Sequence, residues 1–139
     1  RTSFIGLELG CRRGLLDWFL AQEGRVPGYR RARWSGLTAH EVGRIARRLV
    51  DAAEPLSGTW HVAGVPLCKF ELLTRLAQRL PERGLEVVAD DAFVCDRTLN
   101  GSAFAVRTGY AAPDWDAQLD ELATDIRRRW RRGQPAYWV

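Results

Sequence analysis

Segments that read as short strands alternate with segments that read as helices along the whole chain, and this confines it to an α/β arrangement. Residues 2–5 are β-prone and run straight into Gly6. In Gly14-Leu15-Leu16-Asp17-Trp18-Phe19-Leu20-Ala21-Gln22 the apolar residues recur as in a well-buried helix, with Gly24 as its exit. Residues 25–29 and 32–34 read as short strands or an extended loop. Thr38-Ala39-His40-Glu41 has the spacing of a capping box, in which Thr38 binds the first turn and Glu41 reaches back. Val42, Ile45, Ala46, Leu49 and Val50 then fall on one helical face, which Pro55 and Gly58 close.

The second half continues the pattern. Residues 59–63, Thr-Trp-His-Val-Ala, form the clearest strand. Pro66 introduces a helix through Phe70, Leu73, Leu76, Ala77 and Leu80, and Pro81 stops it. Residues 85–88 read as a strand, and residues 100–108 hold a short helix that leaves at Gly109. Asp114 caps the last helix, whose stripe is Trp115, Leu119, Leu122, Ile126 and Trp130. Its basic run, residues 127–132, lies where positive charge favours the helix dipole. The chain starts directly in a strand, with nothing before it to pair or cover the edge. The expectation is that its sheet was left behind upstream.

At 139 residues the chain has the size of one domain. There is no methionine, even at position 1, so Arg1 is read as a processed end or a cut. No apolar run approaches the roughly 20 residues that span a bilayer, and the first ten lack the pattern of a secretory leader. A cytoplasmic protein with no membrane partner is the expectation. Of the 21 basic residues only Lys69 is a lysine, a skew read as genomic base composition. Cys11, Cys68 and Cys95 are odd in number and widely spaced, and His40 and His61 stand at no ligand spacing to them. This excludes a disulfide framework and a zinc site and fits free thiols in a reducing compartment.

The chemistry that the residues do not encode is as informative. Gly6-x-x-x-Gly10-x-x-x-Gly14 has the wrong spacing for a dinucleotide fingerprint, which needs close glycines at a strand–helix turn. Tyr29 is followed four places on by Arg33 and Tyr110 by Asp114, so neither has the lysine that lowers a catalytic tyrosine's pKa. No nucleophile elbow is present, and Ser35, Ser57 and Ser102 have no evident base. His61 reads as structural, His40 as a solvent-facing residue of the first helical turn, and Asp90-Asp91 as a solvated turn. Residues 30–34 and 127–132 mix arginine with tryptophan, as single-strand binders do, but acids balance most of the charge, leaving +4. A nucleic-acid partner is therefore not expected, and a basic, non-enzymatic binding module is kept as an alternative.

Several pieces, taken in order, resemble the extended short-chain dehydrogenase/reductase superfamily, the NAD-dependent epimerases and dehydratases. They are Arg1-Thr2-Ser3-Phe4-Ile5-Gly6 with the helix from Gly14, Trp34-Ser35-Gly36-Leu37-Thr38, Gly58-Thr59-Trp60-His61-Val62-Ala63-Gly64 leading to Lys69-Phe70-Glu71-Leu72-Leu73, and Asp96-Arg97-Thr98-Leu99-Asn100 with Thr108-Gly109-Tyr110 and Pro113-Asp114-Trp115. The set is similar to the part of sugar-nucleotide reductases, such as dTDP-4-dehydrorhamnose reductases, that follows the catalytic Tyr-x-x-x-Lys helix. The resemblance implies an α/β fold that is the C-terminal part of a Rossmann-type enzyme. Residues 1–139 would be a single substrate-binding portion, with residues 1–10 the end of a Rossmann-sheet strand and its loop.

The resemblance further implies that Ser3, Phe4, Ile5 and Gly6 pass near a bound NADP or NAD, held mainly by residues outside this chain. Leu15, Trp18, Tyr29, Trp34, Ser35 and Arg97 would line the pocket for a nucleotide-sugar, with Arg97 on its phosphates. For Arg97 the alternative is a salt bridge to Asp96 or a neighbour, and for Trp18 and Trp34 a place in the core is the favoured reading. Cys68 stands where a Ser or Thr cap is expected. The partners implied are the nucleotide-sugar and an N-terminal Rossmann domain. A piece lacking that domain is expected to self-associate into a homo-oligomer through exposed apolar surface. The parent enzyme would be an NAD(P)-dependent oxidoreductase, with epimerase or dehydratase as the alternative, and this chain alone would be inactive.

Overall fold

The computed structural model describes residues 1–8 and 13–131. Gly10, Cys11 and Arg132 lie outside the described residues, as does the side chain of Trp130 in the last helical stripe. The elements are β1 (Phe4–Ile5), α1 (Leu15–Leu20), β2 (Arg25–Tyr29), β3 (Ala32–Trp34), β4 (Leu37–Thr38), α2 (Ala39–Val50), β5 (Leu67–Cys68), α3 (Lys69–Arg79), β6 (Glu86–Asp90), β7 (Cys95–Arg97), α4 (Ser102–Thr108) and α5 (Trp115–Arg131). The expected alternation is thus present, as an α/β fold with small sheets. Strands β1 and β4 pair in parallel, as do β2 and β6, and β3 lies between antiparallel β5 and parallel β7.

Two apolar clusters hold these pieces together. The larger gathers Leu16, Phe19 and Leu20 of α1, Leu72, Leu73 and Leu76 of α3, and Leu119, Leu122 and Ile126 of α5. Each of these residues repeats at helical spacing, so each helix turns one face inward. The smaller joins Leu37, Ile45, Phe104 and Tyr110 under α2 and α4. Gly28 in β2 allows α3 to lie directly on the β2–β6 pair, since a Cβ there would stand 2.6 Å from Val87 and 3.0 Å from the Phe70 backbone. The exits anticipated from glycine are present: Gly24 and Gly109 adopt φ of 63° and 67°. Asp114 caps α5 by accepting the Ala117 N–H at 2.8 Å.

Three expectations are corrected. Residues 59–63 form no strand. They run extended beside the first residue instead, with the Val62 N–H donating to the Arg1 carbonyl at 2.9 Å and the Arg1 amine donating to the Trp60 carbonyl. Two backbone bonds at the end of a ladder do not make a regular strand.

The capping box at Thr38 does not form either. The Thr38 N–H and hydroxyl both donate to the Gln118 side-chain oxygen on α5, at 3.0 and 3.4 Å. Glu41 is buried and pairs with Arg44 at 3.0 Å, and Arg44 reaches on to Glu121 at 2.6 Å. The tertiary tie between α2 and α5 uses the groups that the local motif would have used.

Finally, the stripe of α2 is buried only in part. Ile45 is enclosed, but Ala46 and Leu49 are exposed and Val50 is 81% exposed. The last turn of α2 runs past the edge of the smaller cluster.

Candidate functional site

A cleft of about 760 Å³ opens between β1 and the three-stranded sheet. The sheet register builds its floor. Arg33 stands opposite Cys68 on one side and Asp96 on the other, while Trp34 stands between Leu67 and Arg97. Successive rows face opposite ways, so one row sends Arg33 and Asp96 together and the next sends Trp34 and Arg97. β1 supplies the facing wall with Phe4 and Ile5, preceded by Arg1, Thr2 and Ser3. Phe93, Thr98 and Leu99 supply the rim.

The charge of the cleft is uneven. Arg1, Arg33, Lys69 and Arg97 line it, and none of their side chains forms an ion pair or hydrogen bond among the described residues. Among the described residues Asp96 is the only acid in the lining, and it is engaged elsewhere. Its carboxylate accepts the Thr98 N–H at 2.9 Å and the Thr98 hydroxyl at 2.7 Å. Those two bonds, the backbone one first, hold the Asp96 carboxyl below the ordinary aspartate range, with Arg33 adding to the effect. The salt bridge considered for Arg97 with Asp96 is therefore not made.

Aromatic rings form the other half of the lining. Phe4 is 62% exposed and Phe93 44% exposed, both toward this region. Trp34 is half-buried, donates its indole N–H to the Ser3 hydroxyl, and packs tilted on Trp115 with centroids 5.5 Å apart. Trp115 is fixed in turn by donating to the Val65 carbonyl at 2.8 Å. This chain of contacts gives the Trp34 ring one orientation.

A side pocket of about 270 Å³ adjoins the cleft, lined by Leu15, Trp18, Pro27, Tyr29, Lys69 and Leu73. Leu15 and Lys69 line both cavities. The Tyr29 and Phe93 rings, 5.2 Å apart, join the two walls on the other side.

Of the residues expected near a cofactor, Ser3, Phe4 and Ile5 line the cleft, and Gly6 does not. Gly6 serves packing, because a Cβ there would lie 2.6 Å from the Ala39 Cβ. Of those expected on the substrate, Leu15, Trp34 and Arg97 line the cleft, and Trp18 and Tyr29 line the side pocket with Leu15. Ser35 lines neither cavity. It is buried, and its hydroxyl accepts the Leu99 N–H at 2.7 Å, a structural task.

The sequence reading passed over Arg33, Lys69, Phe93 and Asp96. Arg33 carried a signal, since it sits in the arginine–tryptophan cluster of residues 30–34. Some of the other basic residues in the two arginine–tryptophan clusters, 30–34 and 127–132, have internal partners. Arg30 pairs with Asp91, Arg127 with Glu82 at 2.9 Å, and Arg129 donates to the Glu8 carbonyl at 3.1 Å.

Gly6, Gly14 and Gly36 are closed to a pyrophosphate. A pyrophosphate needs glycine backbone open to it. Gly6 closes on Ala39, a Cβ on Gly14 would meet Glu8 at 2.3 Å, and one on Gly36 would meet the Trp34 ring at 2.0 Å. No group of three His, Cys, Asp or Glu that could hold a metal occurs among the described residues. No helix among them is long and apolar enough to cross a membrane.

No protein-family model matches the chain, and no curated protein matches it. Solved structures do. A dTDP-4-dehydrorhamnose reductase from Bacillus anthracis in complex with NADP superposes on 79% of this chain and 40% of its own, with TM-score 0.62 and 13% identity. A dTDP-glucose 4,6-dehydratase from Streptomyces venezuelae with NAD and TYD bound matches 96% of this chain and 44% of its own, with TM-score 0.66 and 17% identity. The Bordetella bronchiseptica enzyme WbmG, in complex with NAD and UDP, matches 99% and 45%, with TM-score 0.65 and 16% identity. The chain spans less than half the length of each. The chain is accordingly similar in fold to part of these enzymes, a mixed α/β arrangement of small sheets and helices, as the resemblance implied.

Proposed function

We propose that this chain is the nucleotide-sugar-binding portion of an NAD(P)-dependent sugar-nucleotide reductase, working beside a cofactor-binding portion that carries the tyrosine and lysine of the reaction. One observation carries the reading: four cations without ion-pair partners among the described residues share a cleft with exposed aromatic rings. A diphosphate supplies the charge such a set lacks, and a base or sugar ring supplies a face for the aromatic walls. Arg97 suits the phosphates because its planar fork donates two parallel hydrogen bonds. Ser3, Phe4 and Ile5 form the edge along which a nicotinamide would approach the same cleft.

A dehydratase or epimerase parent is the second reading. It is favoured by coverage, since the dehydratase superposes on more of this chain than the reductase does. Both readings assign the cleft the same ligand class.

Calorimetric titration with UDP, dTDP and GDP tests the proposal. Saturable, salt-sensitive binding of at least one is expected, and Arg97→Gln should weaken it by about tenfold. NADPH fluorescence should not change on mixing with this chain alone. No saturable heat with any of the three nucleotides, or tight NADPH binding, overturns the reading.

A further inference from the structure

Lys69 is the single lysine of the chain, and it stands where the two cavities meet. Its position does not serve the helix it belongs to. It is the first residue of α3, directly after the N-cap Cys68, and a cation at that end opposes the helix dipole. Nor does it compensate the neighbouring acid. The Glu71 carboxylate turns back to accept the Cys68 N–H at 2.9 Å, and Lys69 forms no ion pair among the described residues. The other cations of the cleft, Arg1, Arg33 and Arg97, are all arginine.

The two side chains bind anions differently. A guanidinium presents a rigid planar fork, which selects one approach direction. An ammonium is a compact charge with three rotatable donors, which holds a phosphate from any side. At a junction the second property matters, because groups attached to the held phosphate must leave in different directions.

We infer that Lys69 is the anion-binding pivot of the site. It holds a phosphate of a nucleoside diphosphate conjugate where cleft and side pocket join. The rest of the conjugate lies along the cleft, which Arg97 lines, and the ring group next to that phosphate enters the side pocket against Trp18 and Tyr29. The ligand is bound bent about Lys69. This rests on the nucleotide-sugar reading of the cleft and adds to it the residue at the bend and the pocket beyond.

The experiment combines amine acylation with titration. Acetyl N-hydroxysuccinimide should modify Lys69 in the free chain, read by mass on the peptide that contains it, and saturating UDP should slow that modification. Lys69→Gln should weaken UDP by about tenfold while leaving uridine unaffected. Its melting temperature should be unchanged or higher, which a merely structural lysine would not show. Trp18→Ala should weaken UDP-glucose and leave inorganic pyrophosphate unaffected. If the wild-type chain binds UDP but the acylation rate does not respond, or Lys69→Gln binds UDP as wild type does, the pivot is overturned and the nucleotide reading stands. If the wild-type chain binds no nucleoside diphosphate, both fall.

Discussion

The Cys68 thiol accepts the Glu71 backbone N–H at 3.4 Å while the Glu71 carboxylate accepts the Cys68 N–H at 2.9 Å. This is a reciprocal capping box with sulfur in place of oxygen, and it starts the helix that carries Lys69. Sulfur is the weaker acceptor. Cys68→Ser should therefore stabilise the fold by about 0.5 kcal/mol, and Cys68→Ala should cost about 1 kcal/mol. Urea midpoints at constant m-value measure both.

Helix α2 provides a contrast within a single stripe. Ile45 is 6% exposed and Val50 is 81% exposed, although both sit at the apolar spacing. Ile45→Ala should cost about 2–4 kcal/mol. Val50→Ala should stay within about 0.5 kcal/mol. Equal losses at the two positions in chemical denaturation would contradict the packing described.

Gly28 is required by shape. The Cβ of an alanine would press on Val87, which can turn, and on the Phe70 backbone, which cannot. Gly28→Ala should destabilise by about 1–3 kcal/mol, read from thermal unfolding.

Ser35 should behave as a structural residue despite its neighbours in the cleft. Ser35→Ala leaves the Leu99 N–H without its acceptor in a partly buried place. A loss of about 1–3 kcal/mol in urea unfolding is expected.

Asp17 sets a pH dependence. It is buried on α1, and burial, the largest cause, raises its pKa above the ordinary 3.8. The Glu8 charge acts in the same direction, while the Glu8 N–H and Arg129 oppose it. The folded state thus holds this proton more tightly than the unfolded state. Its contribution to stability is fully present below the unfolded pKa and is lost as pH rises through the folded one. Asp17→Asn should be more stable than the wild type at pH 7. That advantage should shrink toward zero as the pH falls to the ordinary carboxylate range, as tested by urea titrations at several pH values.

Local patterns were enough to locate the helices. The spacing of Leu73, Leu76 and Ala77, the cap at Asp114 and the exits at Gly24 and Gly109 all act within about one turn. The α/β class follows from the same short-range signals. Pairing across the chain obeys no such rule. Thr38 is taken by Gln118, 80 residues away, so the motif read at Thr38 dissolves and the one at Cys68 forms. Residues 59–63 have strand composition but too little ladder to complete a strand.

The cleft depends on the same long-range choices. Arg33 meets Asp96 and Cys68 through strand register, and Lys69 reaches both cavities because β5 pairs antiparallel with β3 just before α3 begins. A one-residue slip would exchange the faces to which Arg33 and Trp34 turn. Residue types and helical faces were legible along the chain, because they rest on neighbours three or four places apart. The gathering of four cations around the aromatic rings was not, because it rests on a register that the packed core selects.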